Sequence, residues 1–183
     1  MDANSTKVVT GKVRFCYCNV FEPRAMNEGD EPKYSVCLLI KKDDEKTLAK
    51  INSAIEAAKN AYKAKLADRS GKVPSNLKTP LRDGDIDRPD DPAFEGHYFI
   101  NASSNRKPGL VDVDLNAILE KSDFYSGCYG RASLNFYGYN VPGSKGIAAG
   151  LNNLQKTSDG EPLSGGASAE ADFAEMEDDD DMM

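Results

Sequence analysis

Two segments of this 183-residue chain carry side chains whose types and spacing could do chemistry. The first is Asp83-Gly84-Asp85-Ile86-Asp87, three carboxylates at alternate positions. Such a set could hold a divalent cation, and metal-dependent nucleases use groups of this kind. As a calcium loop it fails, because the required glycine falls on Arg88 and the closing glutamate on Phe94. An Asp-rich surface turn is the simpler account. His97 is the single histidine, which leaves few means for general acid–base catalysis, and no nucleophile motif occurs. The phosphate-cradling G-x-x-x-x-G-K-[ST] loop is absent as well. The four cysteines, Cys16, Cys18, Cys37 and Cys128, contain no C-x-x-C pair and read as free, partly buried thiols of a reducing compartment. Cys16 and Cys18, two apart, would share one face of a strand. The segment therefore predicts a chain that is not an enzyme and takes no cofactor or metal. A nuclease using Asp83, Asp85 and Asp87 is the alternative.

The second segment is residues 128–140. One set of alternate positions, Cys128, Gly130, Ala132, Leu134, Phe136 and Gly138, is small and apolar and suits a core. The other, Tyr129, Arg131, Ser133, Asn135, Tyr137 and Tyr139, sets three tyrosines and an arginine on the opposite face. Tyrosine rings that stack bases, beside an arginine that meets phosphate or base, would account for such a face. The competing account is packing beneath a neighbouring helix, or a homodimer contact. Basic residues flank the region: Lys12 and Arg14 along the first strand, Arg106 and Lys107 before a turn, and Lys145 in the loop Gly143-Ser144-Lys145-Gly146.

The charge balance points the same way. The chain has formal net charge -7, yet residues 159–183 hold ten carboxylates and no Lys or Arg. Residues 1–158 are therefore slightly basic, and 159–183 read as a disordered, acidic C-terminal tail. Its apolar residues Phe173, Met182 and Met183, beside Asp178, Asp179, Asp180 and Asp181, point to a tail that docks on partner proteins and competes with nucleic acid for a basic groove.

These residues need elements to position them. Residues 7–21 alternate as a strand with a bend at Gly11, placing Val13, Phe15 and Tyr17 on one side. Lys33–Ile40 is a second strand. Asp43 and Asp44 open a helix through Leu48, Ile51, Ile55, Ala58, Tyr62 and Leu66, at spacings of three and four. Residues 69–96 form a long Pro-, Gly- and Asp-rich loop that is functional or mobile. Strands follow at 97–103, 110–113, 128–140 and 147–156, with a short helix over 116–121. The fold expected is mainly β with one long helix: an OB-fold-like antiparallel five-stranded barrel over residues 1–158, with an inserted helix and a long loop. No apolar run approaches a membrane span, and Met1-Asp2-Ala3-Asn4 lacks the features of a signal peptide, so a cytoplasmic location and no membrane partner are expected.

Residues 124–140, Phe-Tyr-Ser-Gly-Cys-Tyr-Gly-Arg-Ala-Ser-Leu-Asn-Phe-Tyr-Gly-Tyr-Asn, resemble a family of bacteriophage single-stranded DNA-binding proteins long described as a domain of unknown function. Lys145-Gly146-Ile147, Gly150-Leu151-Asn152-Asn153-Leu154-Gln155-Lys156, Asp159-Gly160-Glu161-Pro162-Leu163 and Leu77-Lys78-Thr79-Pro80-Leu81-Arg82-Asp83-Gly84-Asp85 are similar to it too. The resemblance implies an OB-fold barrel, binding to single strands and an acidic C-terminal tail. The function expected is a non-catalytic protein of phage or prophage replication or recombination in a bacterial host cell. It would bind single-stranded DNA, double-stranded DNA weakly, and replication or recombination proteins through the tail.

Overall fold

Gly11 ends the first strand where the alternation bends. In the computed structural model, which describes residues 5–25 and 28–163, β1 (Lys7–Val9) and β2 (Val13–Arg24) lie either side of it. Thr10 is buried at the corner, its hydroxyl donating to the Gly11 carbonyl and accepting from the Ala132 N–H. The Gly11 N–H donates to the Thr47 hydroxyl, which ties the corner to the start of the main helix.

The chain continues through β3 (Lys33–Lys41), α1 (Glu45–Ala61), α2 (Lys63–Leu66), β4 (Arg82–Asp83), α3 (Gly84–Asp87), a 3-10 turn (Pro92–Phe94), β5 (His97–Ser104), β6 (Gly109–Val111), β7 (Tyr129–Val141) and β8 (Ser144–Ser158). Asp44 caps α1 by accepting the Thr47 N–H, as a carboxylate at a helix start should. Ile51, Ala54, Ile55 and Ala58 form its buried stripe, and Tyr62 separates it from α2.

The strands form one sheet that closes on itself. β1 and β2 both pair with β7; β2 pairs with β3, β3 with β5, β5 with β8, and β8 returns to β7. Inside this ring Phe15, Leu38, Ile100, Leu134 and Phe136 are buried completely. The mainly β architecture with one long helix is thus as the pattern predicts. Strand direction is mixed, however: β5 and β6 both pair with β8 in parallel, a joint between strands far apart in sequence that alternation does not encode.

Three local expectations are corrected. Residues 116–121 form no helix, because Ala117 bridges to Val111 and Ile118 donates to the Leu110 carbonyl. Lys145 stands in β8 rather than a loop: Val141 pairs with Ser144 across a two-residue turn of Pro142 and Gly143. Pro at the first corner and Gly143 at φ 80° at the second are what a type II turn requires. Residues 159–163, assigned above to the tail, pack on the body, and residues 164–183 lie outside the described residues. Among the described residues no helix is long and apolar enough to cross a membrane.

Candidate nucleic-acid interface

A bulge in β2 decides what the outer face of the sheet presents. Cys16 pairs with Cys37 and Asn19 with Ser35, so β2 spends one more residue than β3 between the two pairs. The extra residue is Tyr17, at φ 48°, a left-handed conformation rare for a bulky side chain. Alternation is reversed beyond it. Cys16 faces outward and Cys18 packs on the main core, so these cysteines do not share a face. Tyr17, expected on the same side of the strand as Phe15, is 46% exposed on the outside.

Tyr17 and Asn19 of β2, Ser35 of β3 and Asn101 and Ser103 of β5 line an open cleft of about 890 Å³. Arg24, Lys33 and Arg88 supply cations to its lining, with Asp30 and Glu31 also present. The outer face continues past the parallel joint, where Ser103 pairs with Gly150 and the Tyr137 ring lies over Gly150.

One wall of the cleft comes from the long loop. β4 pairs with β5, and the 3-10 turn drops Phe94 onto Phe99, edge to face at 5.1 Å between ring centres. Phe94, Phe99, Leu39, Cys16 and Cys37 make a second apolar cluster on this outer face. Arg88 lies over the Phe94 and Phe99 rings at 5.8 and 6.0 Å, a cation–π arrangement that holds its guanidinium at the cleft. The aspartates of this loop meet a lysine. Lys42 Nζ is 2.8 Å from Asp83 and 2.7 Å from Asp85, and Asp85 also accepts the Gly96 N–H. Lys42 and that N–H hold the Asp85 carboxyl below its usual range, while the two aspartates raise Lys42. Asp87 faces Arg82 at 3.6 Å. Among the described residues no three His, Cys, Asp or Glu side chains are grouped for a metal ion.

The residues singled out from sequence fall into three groups. Lys12 and Arg14 lie 5.0 and 5.2 Å from the centre of the Tyr129 ring, and Arg131 nearby donates to the Thr10 carbonyl. Tyr137, Tyr139 and Lys145 sit at the other end of the hairpin, where Ser144 bonds the Tyr139 hydroxyl. Ten residues of strand separate Tyr129 from Tyr139, roughly 33 Å, so the three tyrosines are not one compact platform. Lys107 lies 5.6 Å from the Phe21 ring centre, with Arg106 beside it. The sequence reading missed Tyr17, Arg24, Lys33, Arg88, Asn19, Asn101 and Ser103. Alternating Ser35 and Cys37, with Asn101 and Ser103, was the available signal for a polar outer face.

The chain beyond β8 returns to this face. Tyr125 donates its hydroxyl to Asp159 and accepts the Gly160 N–H, and Lys156 pairs with Asp159 at 2.6 Å. Leu163 donates its N–H to the Ser126 carbonyl and packs against the Cys16–Phe99 cluster, next to the cleft.

Several phage proteins are similar to this chain. A structure titled as the single-stranded DNA-binding protein from bacteriophage Enc34 in complex with ssDNA is 28% identical, with TM-score 0.75 over 87% of this chain and 90% of that one. The bacteriophage T7 single-stranded DNA-binding protein gp2.5 shares the fold at 12% identity, with TM-score 0.65 over 88% of this chain and 97% of that one. Protein p50 of Acyrthosiphon pisum secondary endosymbiont phage 1 is 29% identical over 169 residues, 89% of each chain. The family model described as the ssDNA-binding protein of Enterobacter phage Enc34 matches residues 6–183, and the chain belongs to that family.

Proposed function

We propose that this chain binds single-stranded DNA without cleaving it, in the cleft over β2, β3 and β5. The observation that carries the reading is the pairing of an exposed tyrosine, held out by a bulge, with Arg24, Lys33 and Arg88 around an open polar groove. Tyr17 stacks on a base, a contact indifferent to base identity, and the cations meet phosphates. Asn19, Asn101 and Ser103 offer hydrogen bonds along the path. Beyond the cleft the strand crosses Gly150 to Tyr137, Tyr139 and Lys145. Arg106 and Lys107, and Lys12, Arg14, Tyr129 and Arg131, extend the contacts at its flanks. The solved ssDNA complex of the Enc34 relative supports single strands as the ligand.

The acidic tail, Phe173 and Asp178 to Met183 included, competes with DNA for this groove and recruits proteins of phage replication or recombination. Leu163, docked beside the cleft, supports that role because the tail is rooted within reach of the groove. Labelled single-stranded DNA incubated with the protein, with and without Mg²⁺, tests the reading. Retarded, intact DNA is expected, with affinity falling by roughly 0.7 log units per log unit of salt for each phosphate neutralised. Shortened DNA in Mg²⁺ would make the protein a nuclease instead, and absence of any complex with tail-deleted protein would overturn DNA binding.

A further inference from the structure

The turn after β6 is built to hold apolar side chains in water. Asp112 Oδ1 accepts the N–H groups of Asp114 and Asn116 at 2.9 and 3.0 Å, and its backbone bonds Leu115 and Asn116. Gln155 also donates to its carbonyl, fixing the turn to β8. Thus pinned, Leu115 takes φ 66°, a strained conformation, and stands 72% exposed beside Val113 at 58%. A rigid turn that spends hydrogen bonds on exposing two large apolar residues, with the Asp114 carboxylate between them, has the form of a docking finger.

The opposite end of the β7–β8 hairpin carries its complement. A hollow of about 370 Å³ opens beside the Pro142–Gly143 turn, with Pro74, Leu77 and Val141 in its lining and Lys78 supplying a positive charge that the DNA path does not use. Lys78 is fixed by its backbone, which bonds Lys145 and Ile147, while its side chain is exposed. Apolar residues with an acid thus face, across one molecule, an apolar hollow with Lys78 at its lining. Finger and hollow flank β8 near Gln155 and Ser144, roughly 36 Å apart by strand rise.

We propose that copies of this chain on one DNA strand associate head to tail, the Val113–Leu115 finger of each seated in the Lys78–Val141 hollow of the next. The two surfaces differ, so the contact is heterologous and propagates along the strand instead of closing a dimer. So small a contact is too weak to assemble free protein, and acts once neighbours are held close by common DNA. The inference rests on the single-strand binding proposed above.

Full-length protein is titrated onto an oligonucleotide that seats one copy and onto long single-stranded DNA. Asp114→Lys and Lys78→Glu, each at an exposed position, are expected to bind the short oligonucleotide as wild type does. On the long strand each should lose about tenfold in affinity, with cooperativity. The double variant, with its charges exchanged, should regain both. Leu115→Asn, which keeps a residue tolerant of positive φ, should lose cooperativity as well. A double variant no better than the singles, equal losses on both DNAs, or a non-cooperative wild type overturns the head-to-tail contact. A wild type that binds neither DNA overturns the single-strand reading beneath it.

Discussion

Arg14 reaches from β2 to the Glu161 carbonyl at 2.7 Å, while its Nε donates to the Gly127 carbonyl at 3.0 Å. One guanidinium thus joins the second strand, the entry to β7 and the chain leaving β8. Leu163, two residues on, packs against the outer apolar cluster that contains Cys16, Cys37 and Phe99. The described chain therefore reaches Leu163 on the outer face of the sheet, beside the cleft.

Arg14→Ala removes charged donors from two carbonyls and is expected to cost about 1–3 kcal/mol of stability. Arg14→Lys should recover only part of it, because an ammonium lacks the planar fork that spans both oxygens. Thermal unfolding of the three proteins checks this. An unchanged midpoint for Arg14→Ala would show that the clamp contributes nothing to the fold.

Tyr17 combines strain with exposure, and the proposed function gives it the stacking contact in the cleft. Tyr17→Leu should weaken single-strand binding by roughly 1–3 kcal/mol, the usual loss for one stacked base. Tyr17→Gly should weaken it as much while melting no lower, since glycine takes φ 48° without strain. Fluorescence titration beside a melting curve reads both. Normal affinity for both variants would leave the cleft without its stacking residue.

The sequence disclosed elements whose cause is local. The spacing of Ile51, Ile55 and Ala58 gave the helix, the alternation from Cys128 to Gly138 gave β7, and Gly11 gave the corner. It was silent where the cause lies across the ring. The bulge that exposes Tyr17 is a difference in residue count between two paired strands, and neither strand shows it alone. Lys42 meets Asp83 and Asp85 only because β4 folds against β5, so the lysine that pairs with these aspartates could not be read from their own segment. Tyr129 and Tyr139 share a face, as alternation requires, but a strand of 13 residues sets them at opposite ends of it.

The cysteines should be inert in the folded protein. Burial pushes the Cys16 thiol up to about 11, helped by the nearby Asp91 carboxylate, and burial pushes Cys18 up to about 12. Burial raises Cys37 and Cys128 too. The thiolate is the reactive form, so at pH 8 little of it is present, and its fraction grows as pH rises toward those values. A chromogenic disulfide at pH 8 should label the native protein slowly and all four cysteines rapidly in denaturant. Fast labelling of the native protein would mean that the Cys16–Phe99 cluster opens readily.

Truncation after Leu163 separates the tail from its root. It removes the eight carboxylates of residues 164–183 but keeps Asp159, Glu161 and the Leu163 anchor, so the outer apolar cluster stays covered. On the proposed reading residues 164–183 act as a tether, and a short flexible tether holds its acids at an effective concentration of millimolar order, enough for weak contacts to occupy the groove. The truncated protein should bind single-stranded DNA more tightly, most clearly at low salt where screening is least. It should also gain affinity for double-stranded DNA, because the lost repulsion does not distinguish one strand from two. Removing only Met182 and Met183 preserves the charge, so DNA affinity should stay as it is while docking to replication proteins weakens. Equal affinity of full-length and truncated protein at low ionic strength would show that the tail does not compete, and would leave it a role in partner docking alone.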